Sequence, residues 1–170
     1  VKKIEFNVSQ FESTDDLIDA FHKVRDSVLK GKVPLVFFDE FDSSFEGSKL
    51  GWLKYFLAPM NDGEFKHGET MHPIGKSIFV FAGGTSDTFQ DFARDGEIDP
   101  SLDKDEIEKI KGDRQHFRSA KGTDFISRLR GHVNVMGPNR QGSEDTFYMI
   151  RRALFLRSMI ERKAKNILNK

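Results

Sequence analysis

The 170-residue chain contains no cysteine. That excludes disulfides, a thiolate nucleophile and any cysteine-based metal site. An excess of one charge is missing too, since 27 Lys and Arg balance 27 Asp and Glu. A neutral balance argues against a general binder of nucleic acid or of membrane surfaces. Long apolar runs are absent: the longest, such as Ile78–Ala82, fall far short of the about 20 residues that cross a bilayer. No signal peptide is visible, so a cytoplasmic protein with no membrane partner is expected. The five histidines, His22, His67, His72, His116 and His132, show no i, i+4 spacing that would set two ligands on one helix face. No histidine metal site is therefore expected. The chain opens at Val1 inside what reads as a strand, and it is read as a piece of a larger protein. Its length suits one domain burying roughly 70% of its unfolded surface.

What is present is an alternation of strands and helices. Ile4, Phe6 and Val8 alternate and read as a strand over 2–8. Ser13-Thr14-Asp15-Asp16 is a helix start, with cap residues and acids near the positive end of the dipole. Leu17, Phe21, Val24 and Val28 follow at helical spacing, and Gly31 stops the helix. A strand follows Pro34. A helix is expected from about Ser48, carrying Leu50, Leu53, Phe56 and Leu57 and ending near Pro59. Asn61-Asp62-Gly63 and His67-Gly68 bracket a short hairpin. Ser77–Ala82 reads as another buried strand. Residues 87–122 are polar, with at most two short helices. Asp124–Leu129 resembles a helix end, His132–Met136 a short strand, and Glu144–Leu168 a long basic helix. Such alternation means an α/β layered domain with a mainly parallel sheet.

Leu35-Val36-Phe37-Phe38-Asp39-Glu40 carries the most information. An apolar run this short reads as a strand buried on both faces. Such a strand has no place for a charge, so Asp39 and Glu40 belong at its carboxyl end, the rim where open α/β sheets bind ligands. The segment looks like a Walker B motif, in which the first acid helps hold Mg²⁺ and the second orients a water for attack on a γ-phosphate. A buried strand that ends in two solvated acids has the same letters.

Two further segments extend the pattern. Ile78–Ala82 runs into Gly83-Gly84-Thr85-Ser86, where small residues let backbone approach a ligand and hydroxyls follow; a glycine turn after a core strand is the plain alternative. In Phe125-Ile126-Ser127-Arg128-Leu129-Arg130 the apolar residues share one face and the arginines point elsewhere. A guanidinium there can stabilise transferring phosphate in trans, or can simply be solvated. Gly75-Lys76-Ser77 is not a P-loop. Position 70 is Thr rather than Gly, and the triplet leads into a strand instead of opening a helix.

In this order, the three segments resemble the AAA+ ATPases, more closely the Clp- and HslU-type branch, over residues 1–140. The resemblance implies a three-layer P-loop NTPase fold, whose sheet order is 5-1-4-3-2. Strands 2 to 5 of that order would fall at Lys2–Val8, Pro34–Phe38, Ser77–Ala82 and His132–Met136, giving 4-3-2 with strand 1 missing. It also implies Asp39 acting through Mg²⁺, Glu40 polarising water, Thr85 (or Ser86) as sensor 1 and Arg128 as arginine finger. ATP and Mg²⁺ would be the cofactors. A homo-oligomeric ring, a hexamer in this family, and an unknown protein partner would complete the assembly; nucleic acid is not expected. Residues 141–170 would begin the helical lid.

The departures have consequences. Walker A is absent, so the isolated chain should be inactive while the complete protein hydrolyses ATP. Arg151 and Arg152 come too soon after Arg128 for a sensor 2. Only Ser9–Glu12 joins the first strand to its helix, leaving no room for a peptide-translocating pore loop. The alternatives are a non-hydrolysing regulatory or scaffold module on the same fold, and a metal-dependent phosphoesterase using Asp39, Glu40 and Asp42.

Overall fold

The computed structural model describes residues 2–164. They divide into two compact units, one up to His132 and one from Val133 onward. The first is a mixed α/β unit built on a three-stranded parallel sheet. Its elements are β1 (Lys2–Asn7), α1 (Thr14–Leu29), β2 (Pro34–Asp39), α2 (Leu53–Asn61), β3 (Glu64–His67), β4 (Thr70–Pro73), β5 (Ile78–Ala82), α3 (Phe89–Ala93), α4 (Lys104–Ser119) and α5 (Gly122–Ile126). Strand β2 lies between β1 and β5, paired in parallel with each. Strands β3 and β4 form a separate antiparallel hairpin.

Local signals explain why these elements form. At the start of α1 the Asp16 carboxylate accepts the backbone N–H groups of Ser13 at 3.0 Å and Glu12 at 2.8 Å. These bonds hold its pKa below the ordinary carboxylate value, the Ser13 bond contributing most. Leu17, Phe21 and Val24 then bury one face, at the spacing of a helix packed on one side. Gly31, at φ 74°, takes the left-handed conformation that ends the helix.

The register sorts the sheet into two faces. One carries Phe6, Val36, Phe38, Phe79 and Phe81, and against it pack Phe21 of α1, Phe56 of α2 and Phe125 of α5. The other carries Lys3, Glu5, Leu35, Phe37, Ile78 and Val80. There Lys3 and Glu5 form an ion pair and Ile78 is 53% exposed. The expectation of a strand buried on both faces is thus corrected: Val36 and Phe38 are buried, Leu35 and Phe37 only partly. Among residues 2–132 helices pack on one face, so the expected third layer is not formed there.

Other expectations need correction. His132–Met136 is not a strand. Val133 and Val135 are 84% and 87% exposed, so their alternation finds no face to bury against, and alternation without a partner does not make a strand. Strand 5 is accordingly missing from the sheet, which has only β1, β2 and β5, the segments expected as strands 2, 3 and 4, with β2 in the middle. Helix α2 starts later than expected, because Leu50 takes φ 59° and interrupts the helical path. It also runs past Pro59, which lies inside it. The polar stretch 87–122 contains a full 16-residue helix, α4. In the second unit, α6 (Tyr148–Lys163) is shorter than the expected 144–168, whose last residues lie outside those described.

Within the second unit, Arg151 clamps Asp145 with both terminal nitrogens, one at 2.9 Å, and its Nε donates to the Gly137 carbonyl at 2.7 Å. The Arg151 guanidinium, then the Gln141 N–H, hold the Asp145 carboxyl far below its ordinary value. A carboxyl depressed in the folded state adds stability above its unfolded pKa, about 3.9, and that stability is lost as pH falls below it. Side-chain NMR should show Asp145 titrating well below about 3.9, and Arg151→Gln should return its midpoint toward that value. An unshifted Asp145 in the unmodified protein would contradict the clamp.

Phe38 and its neighbour Phe37 give a direct test of the two faces. Phe38→Ala should cost about 3–5 kcal/mol, the loss typical of a fully buried aromatic. Phe37→Ala should cost clearly less. Urea denaturation of both variants measures the difference, and equal losses would mean that the second face is also packed.

Candidate functional site

The carboxyl ends of β2 and β5 lie side by side, with Asp39 opposite Ala82 in the register. Beyond them the two loops are tied together. The Phe41 N–H donates to the Ala82 carbonyl at 3.2 Å. Asp42 is buried and accepts three bonds from the β5 loop: Gly84 N–H at 3.4 Å, Thr85 N–H at 2.9 Å and the Thr85 hydroxyl at 2.5 Å. A buried carboxylate is costly unless it is bonded in this way. Gly83 permits the approach, since a Cβ there would come within 2.7 Å of the Asp42 carboxyl and 2.8 Å of the Phe41 ring.

Asp39 and Glu40 are exposed on this rim. Glu40 takes φ 54°, a left-handed conformation that costs a non-glycine residue about 1–2 kcal/mol. Thr85, expected as the γ-phosphate sensor, gives its hydroxyl hydrogen to Asp42. Ser86 instead accepts from Arg94 Nη1 at 3.4 Å, which leaves its own hydrogen available. A hollow of about 450 Å³ opens beside these hydroxyls, lined among others by Thr85, Ser86, Arg94 and Arg114. That is within the usual size of a small-molecule site. Its cations are partly paired: Arg94 Nε lies 3.1 Å from Asp113, and Arg114 donates to the Gly96 carbonyl.

Arg128 follows α5. Phe125 fastens that helix to the same rim, with its ring 5.3 Å from Phe41 and 5.0 Å from Phe81. The Arg128 guanidinium curls back, donating to the Asp124 carbonyl at 2.6 Å, and its Nε is buried without a hydrogen-bond partner. The structure therefore places Asp39, Glu40 and Thr85 on two adjacent strand ends, and Arg128 on a helix packed against those ends. Arg151 and Arg152 are engaged inside the second unit, Arg152 with the Pro138 carbonyl at 3.2 Å and Asn139 at 3.3 Å.

The chain matches no protein-family model, and no curated protein is significantly similar to it.

A second cluster escaped the sequence reading. His22 on α1 and His67 and His72 on the hairpin bring ligating nitrogens within 4.8 Å of one another. His22 Nε2 and His67 Nδ1 are 2.8 Å apart, and Arg25 Nη1 lies 3.3 Å from His72 Nδ1. Burial, followed by the charges of Arg25, His67 and His72, pushes the His22 pKa below its ordinary value. The signal lay in the hairpin rather than in a helix. Phe65 pairs with His72 and His67 with Thr70, so Phe65, His67, Thr70 and His72 share one face. Buried Phe65 turns that face to α1, its ring 5.5 Å from Phe21 and 4.7 Å from His22.

Asp42→Ala should destabilise the protein by about 1–3 kcal/mol, because it leaves the Thr85 and Gly84 donors unpaired. Glu40→Gly should leave stability unchanged or raise it by up to about 1–2 kcal/mol, by relieving the left-handed residue. Thermal and urea unfolding check both. A destabilising Glu40→Gly would mean that the Glu40 side chain supports the loop.

Proposed function

We propose that this chain is the Walker B, sensor 1 and arginine-finger part of an AAA+ ATPase core, acting in an oligomer where phosphate-binding groups come from outside residues 1–170. One observation carries the reading: an exposed acidic pair ends the central strand of a parallel sheet, and Asp42 ties a hydroxyl-bearing glycine loop beside it. The free edge of β5 and the half-covered sheet face are where the remaining strand and layer of a P-loop NTPase fold would pack.

The residues suit magnesium. Asp39 is a solvent-facing carboxylate with hydroxyl oxygens on the neighbouring strand end, and Mg²⁺ takes oxygen ligands, one or two carboxylates plus waters and phosphates. Bound Mg²⁺ would supply positive charge to offset that of the phosphates. Asp39 would help hold the ion. Glu40, held out of the sheet by its left-handed backbone, accepts a proton from the attacking water. Ser86 has a hydrogen to donate to the γ-phosphate; Thr85 must first release Asp42 to do so. Arg128 must swing off the Asp124 carbonyl to serve a neighbouring subunit. No described segment cradles an ATP phosphate chain, so the chain by itself should bind ATP poorly.

The non-hydrolysing scaffold reading keeps the same fold and lets Asp39 and Glu40 lie idle. The phosphoesterase reading loses Asp42, which is buried and fully engaged with the β5 loop.

In the full-length protein, Glu40→Gln should abolish ATP turnover while nucleotide remains bound. Arg128→Ala should lower turnover with little change in affinity; an arginine finger in trans is worth ~10³-fold or more in GTPases. Mixed oligomers of the two variants should regain activity, since each supplies what the other lacks at some interfaces. Unchanged turnover in Glu40→Gln, or no ATPase at all in the full-length protein, would overturn the reading in favour of the scaffold.

A further inference from the structure

We propose that His22, His67 and His72 form a binding site for a late first-row divalent cation, with Zn²⁺ as its probe, joining α1 to the β3–β4 hairpin and leaving a fourth position open to solvent. Imidazole nitrogens suit such ions, and three of them plus a water complete a tetrahedral zinc site. The three rings come from two elements whose relative position is already fixed. Phe65 is buried between them, and its ring contacts Phe21, His22 and His72. The histidines therefore need not be gathered by the metal.

The distances allow it. An ion at about 2.0–2.1 Å from each nitrogen sets tetrahedral ligands roughly 3.4 Å apart. The three nitrogens now lie within 4.8 Å of one another, and the His22–His67 pair at 2.8 Å. Small ring rotations close the wide gap and open the narrow one. His67 is exposed at the hairpin end, where rotation is cheapest.

The hydrogen bonding also favours a ligand. A neutral imidazole has one lone pair and one N–H. His22 and His67 share a single hydrogen bond, while His22 Nδ1 is buried without a partner. In binding through Nε2, His22 carries its proton on Nδ1. That N–H lacks the carboxylate or carbonyl acceptor that strengthens most zinc-bound histidines, so affinity should be weaker than in structural zinc sites.

Arg25 is the competitor. It occupies the lone pair of His72 at Nδ1, and an ion on either nitrogen of that ring displaces it: one takes the same lone pair, the other requires a proton on Nδ1. Arg25 can leave, because Asp26 already holds its Nε and Nη2 at 3.2 and 3.0 Å.

The test is calorimetric titration of the tag-free chain with Zn²⁺, with Co²⁺ visible absorption reporting tetrahedral nitrogen ligation. One Zn²⁺ per chain is expected, with a rise in the melting temperature. His67→Ala and His72→Gln should each weaken binding by more than the roughly tenfold that loss of an outer-shell partner costs, Arg25→Ala should tighten it, and His116→Ala, whose ring instead contacts the Lys49 carbonyl, should leave it unchanged. His67 lies at an exposed hairpin end, so without metal its variant should melt only slightly lower, by the loss of its one hydrogen bond to His22. No Zn²⁺ binding, or equal binding by the unmodified protein, His67→Ala and His72→Gln, would overturn the site.

Discussion

Phe38 is the ring on which the first unit is assembled. It is fully buried and meets Phe6 of β1, Phe21 of α1, Phe56 of α2, and Phe79 and Phe81 of β5, with centroids 4.9 to 6.2 Å away. Full burial of such a side chain contributes about 1.5–3 kcal/mol, and favourable edge-to-face and offset pairs add to it. Three residues later Phe41 begins a second stack with Phe81, Phe92 and Phe125. Asp39 and Glu40 are thus the short link between two aromatic anchors. The link must turn off the strand within two residues, because the Phe41 N–H is held by Ala82. The left-handed Glu40 follows from that constraint, and so does the exposure of both acids.

The same geometry separates three acids that the sequence writes alike. In Asp39-Glu40-Phe41-Asp42 the anchor at Phe41 points Asp42 inward, to the Thr85 and Gly84 donors, while its neighbours face solvent. A phosphoesterase that needs three free carboxylates and a Walker B pair that needs two cannot be told apart from the letters. They part only when one carboxylate is counted as part of the loop. The cost of burying that charge is offset by three hydrogen bonds, and the bonds fix Thr85 beside the rim.

The parallel strands, α1 and its cap were legible because each is written in adjacent residues: apolar runs bounded by Gly and Pro, or Ser13 three places before Asp16. The fourth strand was misread because alternation at 132–136 says nothing about whether a partner face exists. Helix α4 was underestimated for the opposite reason. Its cap and charge signals were present, with Asp103 accepting the Glu106 N–H at 2.8 Å and His116 and Arg118 in its last turn. Among its residues, however, only Phe117 is buried, so there was little apolar period to read. The rim acids were legible as candidates. The Asp42 bridge spans 43 residues to Thr85, and no local pattern announces a contact of that range.

The histidine cluster sits at the other extreme, since it adds little to the fold that holds it. A single neutral hydrogen bond between His22 and His67 is worth about 0.5–1.5 kcal/mol. Burying Phe65 contributes about 1.5–3 kcal/mol and fixes the same hairpin on the same helix. The hairpin would therefore stay docked with other polar residues at 67 and 72. Docking through Phe65 explains why this hairpin face meets α1, and the pleat explains why 67 and 72 share that face. Neither requires imidazole at both positions, nor a third imidazole at His22 beside an arginine. Packing accounts for the scaffold; the convergence of three metal-binding side chains on it is a matter of their chemistry.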